Sequence, residues 1–565
     1  MKEKKLFTAS LAALIIVGIV ALLMALHSPL SSWKFLLAFF PLLVILVGVA
    51  FLRQGGLTMA FVGLTITILL AVFQFATPVD VALGSAAYGF VNSFGISISV
   101  AATMLLIFLM REAGALNVVS KVIKQQIVQD ETRALYIGIG FGSFLSSLGV
   151  VTPALFPPLL VAMGFSPVSS IAIAVLGYDP TTSFSLLSIP ITLPAESSIK
   201  LIGMAISPIE MAFKIAIFLP LVSTGFAFAI LWVVGGKASM RRGAVPAIIC
   251  GLALAFGCLG ALSLDRFTGV EYIPLRIVGV IAGLCAMLAL HAYQKLRPTP
   301  IKKERPADYP SSTNILRSFS PWIMLTGLAA IVSVPQVGLW LQNLLGDIDK
   351  IRIFADQIIP LKVFSQIYTW IFVAVLLSIF TLRLTAKQVK KATLIWLKRF
   401  IGPFLAYSLY FCIAFVMANS AKEIVNGVLS PSSSYATFNM NVILGSTLAA
   451  VFGVGYVFVA GSLGLFGAII GGSETSSNVL FMKIQRTATQ DLGLNDTAFM
   501  TVYGSHAVAG GIASAVTPAK INNAVVTIDE SHDTESLIMR KHLIIAILLT
   551  IAAGIVTGVL VNLGV

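Results

Sequence analysis

The chain has 565 residues, of which 58% are hydrophobic and 11% charged, and its mean hydropathy is +0.98. These values exclude a soluble globular fold and a disordered chain, because apolar runs of membrane-spanning length recur from end to end. The formal net charge of +14 does not indicate nucleic acid, since Lys and Arg fall in blocks between apolar segments rather than on one soluble face.

In chain order, single spans are expected at Leu6–Leu26, Phe35–Leu52, Leu57–Ala76, Ser97–Met110, Ile209–Val234, Ala244–Leu264, Tyr272–His291, Pro321–Val337, Ile367–Leu382, Ile401–Met417 and Leu543–Val561. With the interrupted segments described below, this is an all-α polytopic membrane protein of roughly 12–14 crossings. The first span follows Lys2, Lys4 and Lys5, and its apolar run is too long for a secretory signal, so it reads as a retained anchor. Basic blocks at the N-terminus, Arg111–Arg133, Lys237/Arg241/Arg242, Lys295–Arg305 and Arg383–Arg399 can all be placed in the cytoplasm. That assignment makes the N-terminus cytoplasmic, and it turns Leu341–Lys362, with Asp347, Asp349 and Asp356, outward together with the C-terminus. Cys250, Cys258, Cys285 and Cys412 lie within spans without CxxC or mixed Cys/His spacing, which indicates packing rather than metal or disulfide chemistry. The longest polar linker, Lys295–Asn314, divides the body into two parts.

An internal repeat runs across that division. FLMREAGALNVVSKVI from Phe108 matches FVMANSAKEIVNGVLS from Phe415, and GVVTPALF at Gly149–Phe156 matches ETSSNVLF at Glu474–Phe481. A Gly-led segment follows in each copy, from Gly164 and from Gly493. Arg111 begins a cytoplasmic stretch, whereas the corresponding Ala418 follows a span that starts at the cytoplasmic Arg399, so the copies are expected to be inverted. Interruptions are expected at Gly142-Ser143, Ser146–Pro153, Tyr178–Ser183, Gly471–Asn478 and Gly504–Asn523. A backbone that stops being helical inside hydrocarbon persists only where protein or a wet cavity satisfies it, so these segments are expected to form broken or re-entrant hairpins around a midplane site.

The polar residues in the interruptions are the candidate site. An acidic side chain at membrane depth costs about 2.5–3.5 kcal/mol, which favours a functional role for Glu474 over a helix-capping one. Asp179 is the second intramembrane acid, and the two are the proton-coupling candidates. The substrate-binding candidates are Ser146, Ser147 and Thr152, then Thr181, Thr182 and Ser183. In the second half they are Ser473, Thr475, Ser476, Ser477, Asn478, Ser505, His506, Thr517 and Lys520. Short hydroxyls and amides suit a small polar solute, although each could instead satisfy freed backbone. For His506 a hydrogen-bonded packing role outweighs proton relay, and Lys520 divides evenly between a substrate carboxylate and the interface. For Lys214 an i,i+4 ion pair with Glu210 is the favoured reading.

GGSETSSNVLF at Gly471–Phe481, IGIGFGSFL at Ile137–Leu145 and FSLLSIPI at Phe184–Ile191 resemble the lactate permease family of bacteria and archaea, over about residue 81 to the C-terminus. The resemblance implies uptake of lactate or glycolate in symport with protons through the plasma membrane, and by analogy an elevator motion of a hairpin-bearing domain against a scaffold. Two motifs depart from that family. SSLGVVTP stands where the family has an acidic E-G-A-A-G-F-G loop, with Ser146 near the place of the acid. GIASAVTP at Gly511–Pro518 stands where the family has G-K-x-x-S-P, and the lysine follows at Lys520. Asp179 lies near a family asparagine and is the candidate replacement for the missing acid.

The organisation expected is N-terminal scaffold spans over 1–80, a first repeat with a broken hairpin over 81–235, and two spans with a cytoplasmic linker over 236–320. Scaffold spans follow over 321–400, then a second, inverted repeat over 401–528 and a C-terminal span over 529–565. The function expected is proton-coupled transport of a small monocarboxylate, with sodium-coupled transport of another organic anion as the alternative. No HExxH, GxSxG or metal-spaced His/Cys is found, so neither an enzyme nor a cofactor nor a metal is expected. The partners expected are a small carboxylate, protons and lipid, not nucleic acid, and the oligomeric state stays open, a homodimer included.

Overall fold

The computed structural model describes residues 26, 32–50, 54–127, 129–149, 152–178, 180–268, 273–296, 310–471, 473–528 and 530–565. Helix dominates, because within hydrocarbon every backbone N–H and C=O must be paired inside its own segment. Among the described residues, nine helices are long and apolar enough to cross a membrane, and the protein is a multi-pass membrane protein. Shorter apolar helices, Pro167–Leu176 and Ile367–Thr381 among them, accompany these nine. Phe73, Leu288, Phe380 and Leu548 stand exposed along the helices, as side chains facing lipid do. The expected span Leu6–Leu26 lies outside the described residues except for Leu26, as do residues 297–309 of the linker.

Two expected spans divide, and Pro321–Val337 does so at Val334, between Ser312–Ser333 and Pro335–Asn343. Ile209–Val234 is two helices, Pro208–Ala216 and Leu219–Arg242, with Pro220 in the first turn of the second. There its missing N–H is harmless, but the ring blocks continuation from the preceding helix.

Two helical hairpins hold the centre. In the first, Asp130–Leu135 passes through a π-helical stretch, Tyr136–Gly142, into Ser143–Ser147, turns at Gly149 with φ +87°, and returns as Thr152–Ala162. Phe141 and Phe156 stack across it with centroids 5.8 Å apart. In the second, Tyr456–Gly471 and Glu474–Asp491 run antiparallel. The Tyr456 hydroxyl donates to Gln485 Oε1 at 2.7 Å, Gln485 Nε2 to the Ala460 carbonyl at 3.0 Å, and Ser477 Oγ to the Gly464 carbonyl at 3.2 Å.

A discontinuous helix follows each hairpin. Pro167–Leu176, capped by Ser166, breaks after Gly177 and resumes as Ile189–Ile202. Asp496–Ile512, capped by Asn495, tightens through the 3-10 turn Ala513–Val516, extends at Thr517 and resumes as Pro518–Thr527. The arms cross over: Glu474–Asp491 packs on Ile189–Ile202, and Thr152–Ala162 packs on Pro518–Thr527.

Three expected interruptions are therefore narrower than the sequence implies, and a fourth is absent. Glu474–Asn478 is helical, Gly504–Ile512 is helical, and Ser146–Ser147 ends a helix. Gly142-Ser143 is not a break. A Cβ on Gly142 would meet the Gly177 carbonyl at 2.3 Å, so that glycine permits close approach of two backbones rather than a turn.

Two β-hairpins, Lys350–Phe354 with Gln357–Pro360 and Lys422–Val425 with Val428–Pro431, cap one end of the bundle. They join each other through Ala355 N to the Gly427 carbonyl at 3.0 Å and Leu429 N to Asp356 Oδ1 at 3.0 Å. Asn426 and Gly427, with φ +52° and +80°, supply the left-handed turn that Asn-Gly provides between strands.

Candidate functional site

Glu474 opens its helix at the tip of the second hairpin, where the first-turn N–H groups lack intrahelical acceptors and a carboxylate is favourably placed. It is buried, and Ser183 Oγ donates to its Oε1. Ser183 belongs to Thr182–Phe184, the short 3-10 turn inside the first discontinuous helix. The acid of one hairpin thus meets the broken helix of the other half of the chain, 291 residues away.

The broken segment is the hub of the site. Pro180 accepts from Ser223 Oγ at 2.8 Å, which ties the segment to the helix Leu219–Arg242. Thr182 packs on Gly511, where a Cβ would meet the Thr182 side chain at 2.6 Å. The Phe184 carbonyl and Ser147 Oγ both lie against Gly279, each 2.4 Å from where its Cβ would be. This brings the first hairpin alongside the same turn. On the other flank, Lys520 Nζ donates to Ser514 Oγ and lies 4.2 Å from the centre of the Tyr178 ring.

Behind Glu474 a buried polar network fixes the hairpin. Ser477 Oγ sits 3.3 Å from His506 Nε2, and His506 Nδ1 sits 3.0 Å from Gln485 Nε2. Since Gln485 Nε2 can only donate, Nδ1 accepts, which makes the Nε2 tautomer the protonated one. Asn478 Nδ2 donates to the Pro190 carbonyl at 3.0 Å, and the Asn478 carbonyl accepts from the Tyr503 hydroxyl at 2.7 Å. His506 stacks on Tyr503 with centroids 5.8 Å apart.

The expected residues differ in how their polar atoms are engaged. Ser183, Glu474, Ser477, Asn478 and His506 are joined directly, and Thr182 belongs to the same turn. Ser146, Thr152 and Thr517 spend their hydroxyls on backbone: on Ser143 at 3.2 Å, Ala174 at 3.3 Å and Ala513 at 2.9 Å. These three are accounted for by helix ends that need partners. Ser147 Oγ, Thr181 Oγ1, Thr182 Oγ1, Thr475 Oγ1, Asn478 Oδ1 and Ser505 Oγ are buried without a hydrogen-bond partner among the described residues. A buried polar atom left so costs about 1–3 kcal/mol unless a ligand or water supplies its partner. Ser473 is buried, and its carbonyl accepts from Ser477 N at 3.2 Å. Asp179 and the side chain of Ser476 lie outside the described residues. Lys214, expected to pair along its own helix, instead reaches Thr501 Oγ1 at 3.0 Å, while Glu210 is exposed.

Sequence reasoning missed Tyr503, Gln485, Ser514 and the glycines that let the helices meet. A Cβ on Gly464 would lie 1.9 Å from the His506 carbonyl oxygen. The available signal was the small-residue spacing Gly461, Gly464, Gly467 in an otherwise apolar helix, a pattern that marks close helix packing in membranes.

A family model described as L-lactate permease matches residues 34–564. Glycolate permease GlcA of Escherichia coli strain K12 is 24% identical over 579 aligned positions, covering 93% of this chain and 97% of that protein. L-lactate permease of Salmonella typhimurium is 22% identical, covering 92% and 95%. Among solved structures, one described as the Alcanivorax borkumensis YdaH transporter, with an unusual topology, aligns with TM-score 0.38 and 14% identity, covering 85% of this chain and 88% of that one.

Proposed function

The chain belongs to the L-lactate permease family, and from that premise we propose that it is a secondary active transporter of small monocarboxylates, lactate or glycolate foremost, driven by proton symport. The observation that carries this reading is the buried Glu474, bonded to Ser183 where two broken helices meet. The helix start at Glu474 meets the broken segment that Ile189–Ile202 continues, and both helix starts offer partial positive charge to a carboxylate. The unpartnered hydroxyls offer donors to its oxygens and to a 2-hydroxyl.

Coupling follows from charge. Two carboxylates confined in one buried site cannot both stay ionised at low cost, so entry of the substrate anion draws a proton onto Glu474. The loaded site then carries one net negative charge fewer than it would with two bare carboxylates, and it crosses as a unit. Asp179 is the second candidate for that proton.

The reciprocal crossing of hairpin arms and broken helices supports two inverted repeats, 81–235 and 401–528, related by a pseudo-twofold axis in the membrane plane. We assign the remaining spans to a scaffold against which the hairpin-bearing body slides in an elevator motion. A polar cleft lined by Arg111, Glu112, Asn117, Pro158, Lys391 and Thr527 borders the first hairpin's return arm on the basic side, and it supports access from the cytoplasm. The test is uptake of L-lactate and glycolate into proteoliposomes under an imposed proton gradient, with choline replacing sodium in a parallel arm. Accumulation that follows the proton gradient and ignores sodium is expected. Accumulation that requires sodium reassigns the coupling ion, and absence of uptake for every 2-hydroxy acid removes the substrate class.

A further inference from the structure

The end of the bundle that carries the two β-hairpins holds a second concentration of charge, apart from the Glu474 site. Lys422 opens the strand Lys422–Val425. Lys483 lies on the Glu474 helix, about 13 Å beyond Glu474 at the α-helical rise. Lys422 Nζ donates to Asn419 Oδ1 at 2.9 Å, and Lys483 Nζ to the Tyr435 hydroxyl at 3.3 Å.

The segments bearing these groups are pinned to one another. Ser432 N and Oγ donate to the Ala421 carbonyl at 3.2 and 2.7 Å, Tyr435 N donates to the Ser432 carbonyl at 3.0 Å, and Asn419 Nδ2 donates to Ser85 Oγ at 3.1 Å. Lys34 adds a third cation nearby, donating to the Thr437 carbonyl at 3.1 Å and lying 3.4 Å from the centre of the Phe438 ring.

Burial first, and the Lys483 charge second, bring the Lys422 ammonium down to about 8, against the attraction of Asp356. The other charged or titratable groups carried by the hairpins and the segments packed on them include Asp347, Asp349, Lys350, Arg352 and the exposed Glu423, together with Tyr435 and with Tyr88 across from Asp356. Asp356 is engaged by Leu429 N at 3.0 Å. Two half-buried cations carried on mutually hydrogen-bonded segments therefore rest on neutral oxygens, an arrangement that an anion bound by both would complete.

We propose that Lys422 and Lys483 form an outer docking site for the carboxylate of a small monocarboxylate, a first station ahead of the Glu474 site. The substrate class rests on the transporter reading above; the anion site does not. The Glu474 helix connects the two stations, so one rigid element sets their separation.

The test is amine labelling of purified full-length protein with succinimidyl acetate, read by mass spectrometry, in L-lactate, glycolate, acetate or chloride at equal ionic strength. Carboxylates present at a few times their dissociation constant are expected to slow labelling of Lys422 and Lys483 about threefold relative to chloride, by simple mass action. The exposed Lys237 serves as the unaffected reference. In uptake assays Lys483→Gln is expected to raise KM about tenfold with the maximal rate held, and Lys483→Arg to restore it. The wild-type KM is expected to climb as external pH rises through about 8, where Lys422 loses its charge, and Lys422→Arg to flatten that climb. Labelling unchanged by every carboxylate, with uptake saturating normally, overturns the outer site and leaves the transporter reading in place. Protection of both lysines in a protein that accumulates no 2-hydroxy acid does the reverse.

Discussion

Gly464→Ala tests whether the second hairpin is held by backbone contact. The added Cβ would sit 1.9 Å from the His506 carbonyl oxygen, 2.7 Å from its carbon and 3.1 Å from its Cα, whereas ordinary contact begins at 3.4 Å. Restoring contact requires the helices Tyr456–Gly471 and Asp496–Ile512 to separate locally by roughly 1.5 Å, because a backbone carbonyl cannot rotate aside as a side chain can. Overpacking of this kind costs about 1–3 kcal/mol, and the rigid obstacle places this case near the upper end. The displacement also pulls His506 from Ser477 and Gln485, so transport is expected to fall along with stability. Gly260→Ala is the control: nothing lies within 4 Å of a Cβ there, and a mid-helix alanine is favoured over glycine by about 0.5–1 kcal/mol. Melting followed by tryptophan fluorescence in detergent, at one fixed scan rate, should show Gly464→Ala several degrees below wild type and Gly260→Ala at or above it. Equal melting of Gly464→Ala and wild type, with normal uptake, would refute the close approach of these helices.

Further expectations follow from other contacts. Glu474→Gln keeps the shape of the side chain and removes its titratable charge, so inserted protein should exchange substrate down its gradient without concentrating it; normal accumulation at all pH values would acquit Glu474. Ser183→Ala removes a hydrogen bond to a charged group, worth about 1.5–3 kcal/mol, and should lower the ratio of maximal rate to KM by at least about tenfold while Ser185→Ala leaves it near wild type. Tyr503→Phe leaves the buried Asn478 carbonyl without its 2.7 Å donor and should lower melting by an amount equivalent to about 1 kcal/mol, which a urea or heat series against wild type would reveal. Glu131 concerns pH. Burial raises its carboxyl, but hydrogen bonds from Arg242 and Ser239 and the Arg242 charge outweigh that and hold it below the ordinary value. A depressed folded-state value stabilises above the unfolded carboxylate range and loses that contribution as pH falls through the folded value. Glu131→Gln should therefore lower melting at neutral pH and leave it unchanged in strong acid; an equal penalty at both would point to packing instead of charge.

Much of the architecture was legible because a membrane simplifies the code. Apolar runs must become helices when water is absent, so the spans around Leu57–Ala76, Ala244–Leu264 and Ile401–Met417 could be read from hydropathy alone, and charge at Glu474 stood out against a costly background. The two β-hairpins fall between the apolar runs, where hydropathy carries no helical constraint, and there Asn426-Gly427 was the usable turn signal. Polar residues at interruptions were marked as a class, but the class contained two kinds. Ser146, Thr152 and Thr517 satisfy nearby carbonyls, whereas Ser183 crosses to Glu474.

Sequence by itself determined the solvent, the helical class and the cluster at Gly471–Phe481, because these depend on composition and local spacing, and it marked the helix interruptions more broadly than the fold breaks them. Tertiary structure alone decided which glycines are turns and which are contacts. Gly142 was expected to be a break, yet it admits the carbonyl of Gly177, as Gly464 admits that of His506. It also decided which broken helix meets which hairpin, pairing Ser183 with an acid 291 residues away. The reason is physical: a helix break frees backbone groups at a position local sequence can flag, but the partners that satisfy them arrive from other helices, and no local pattern encodes their approach.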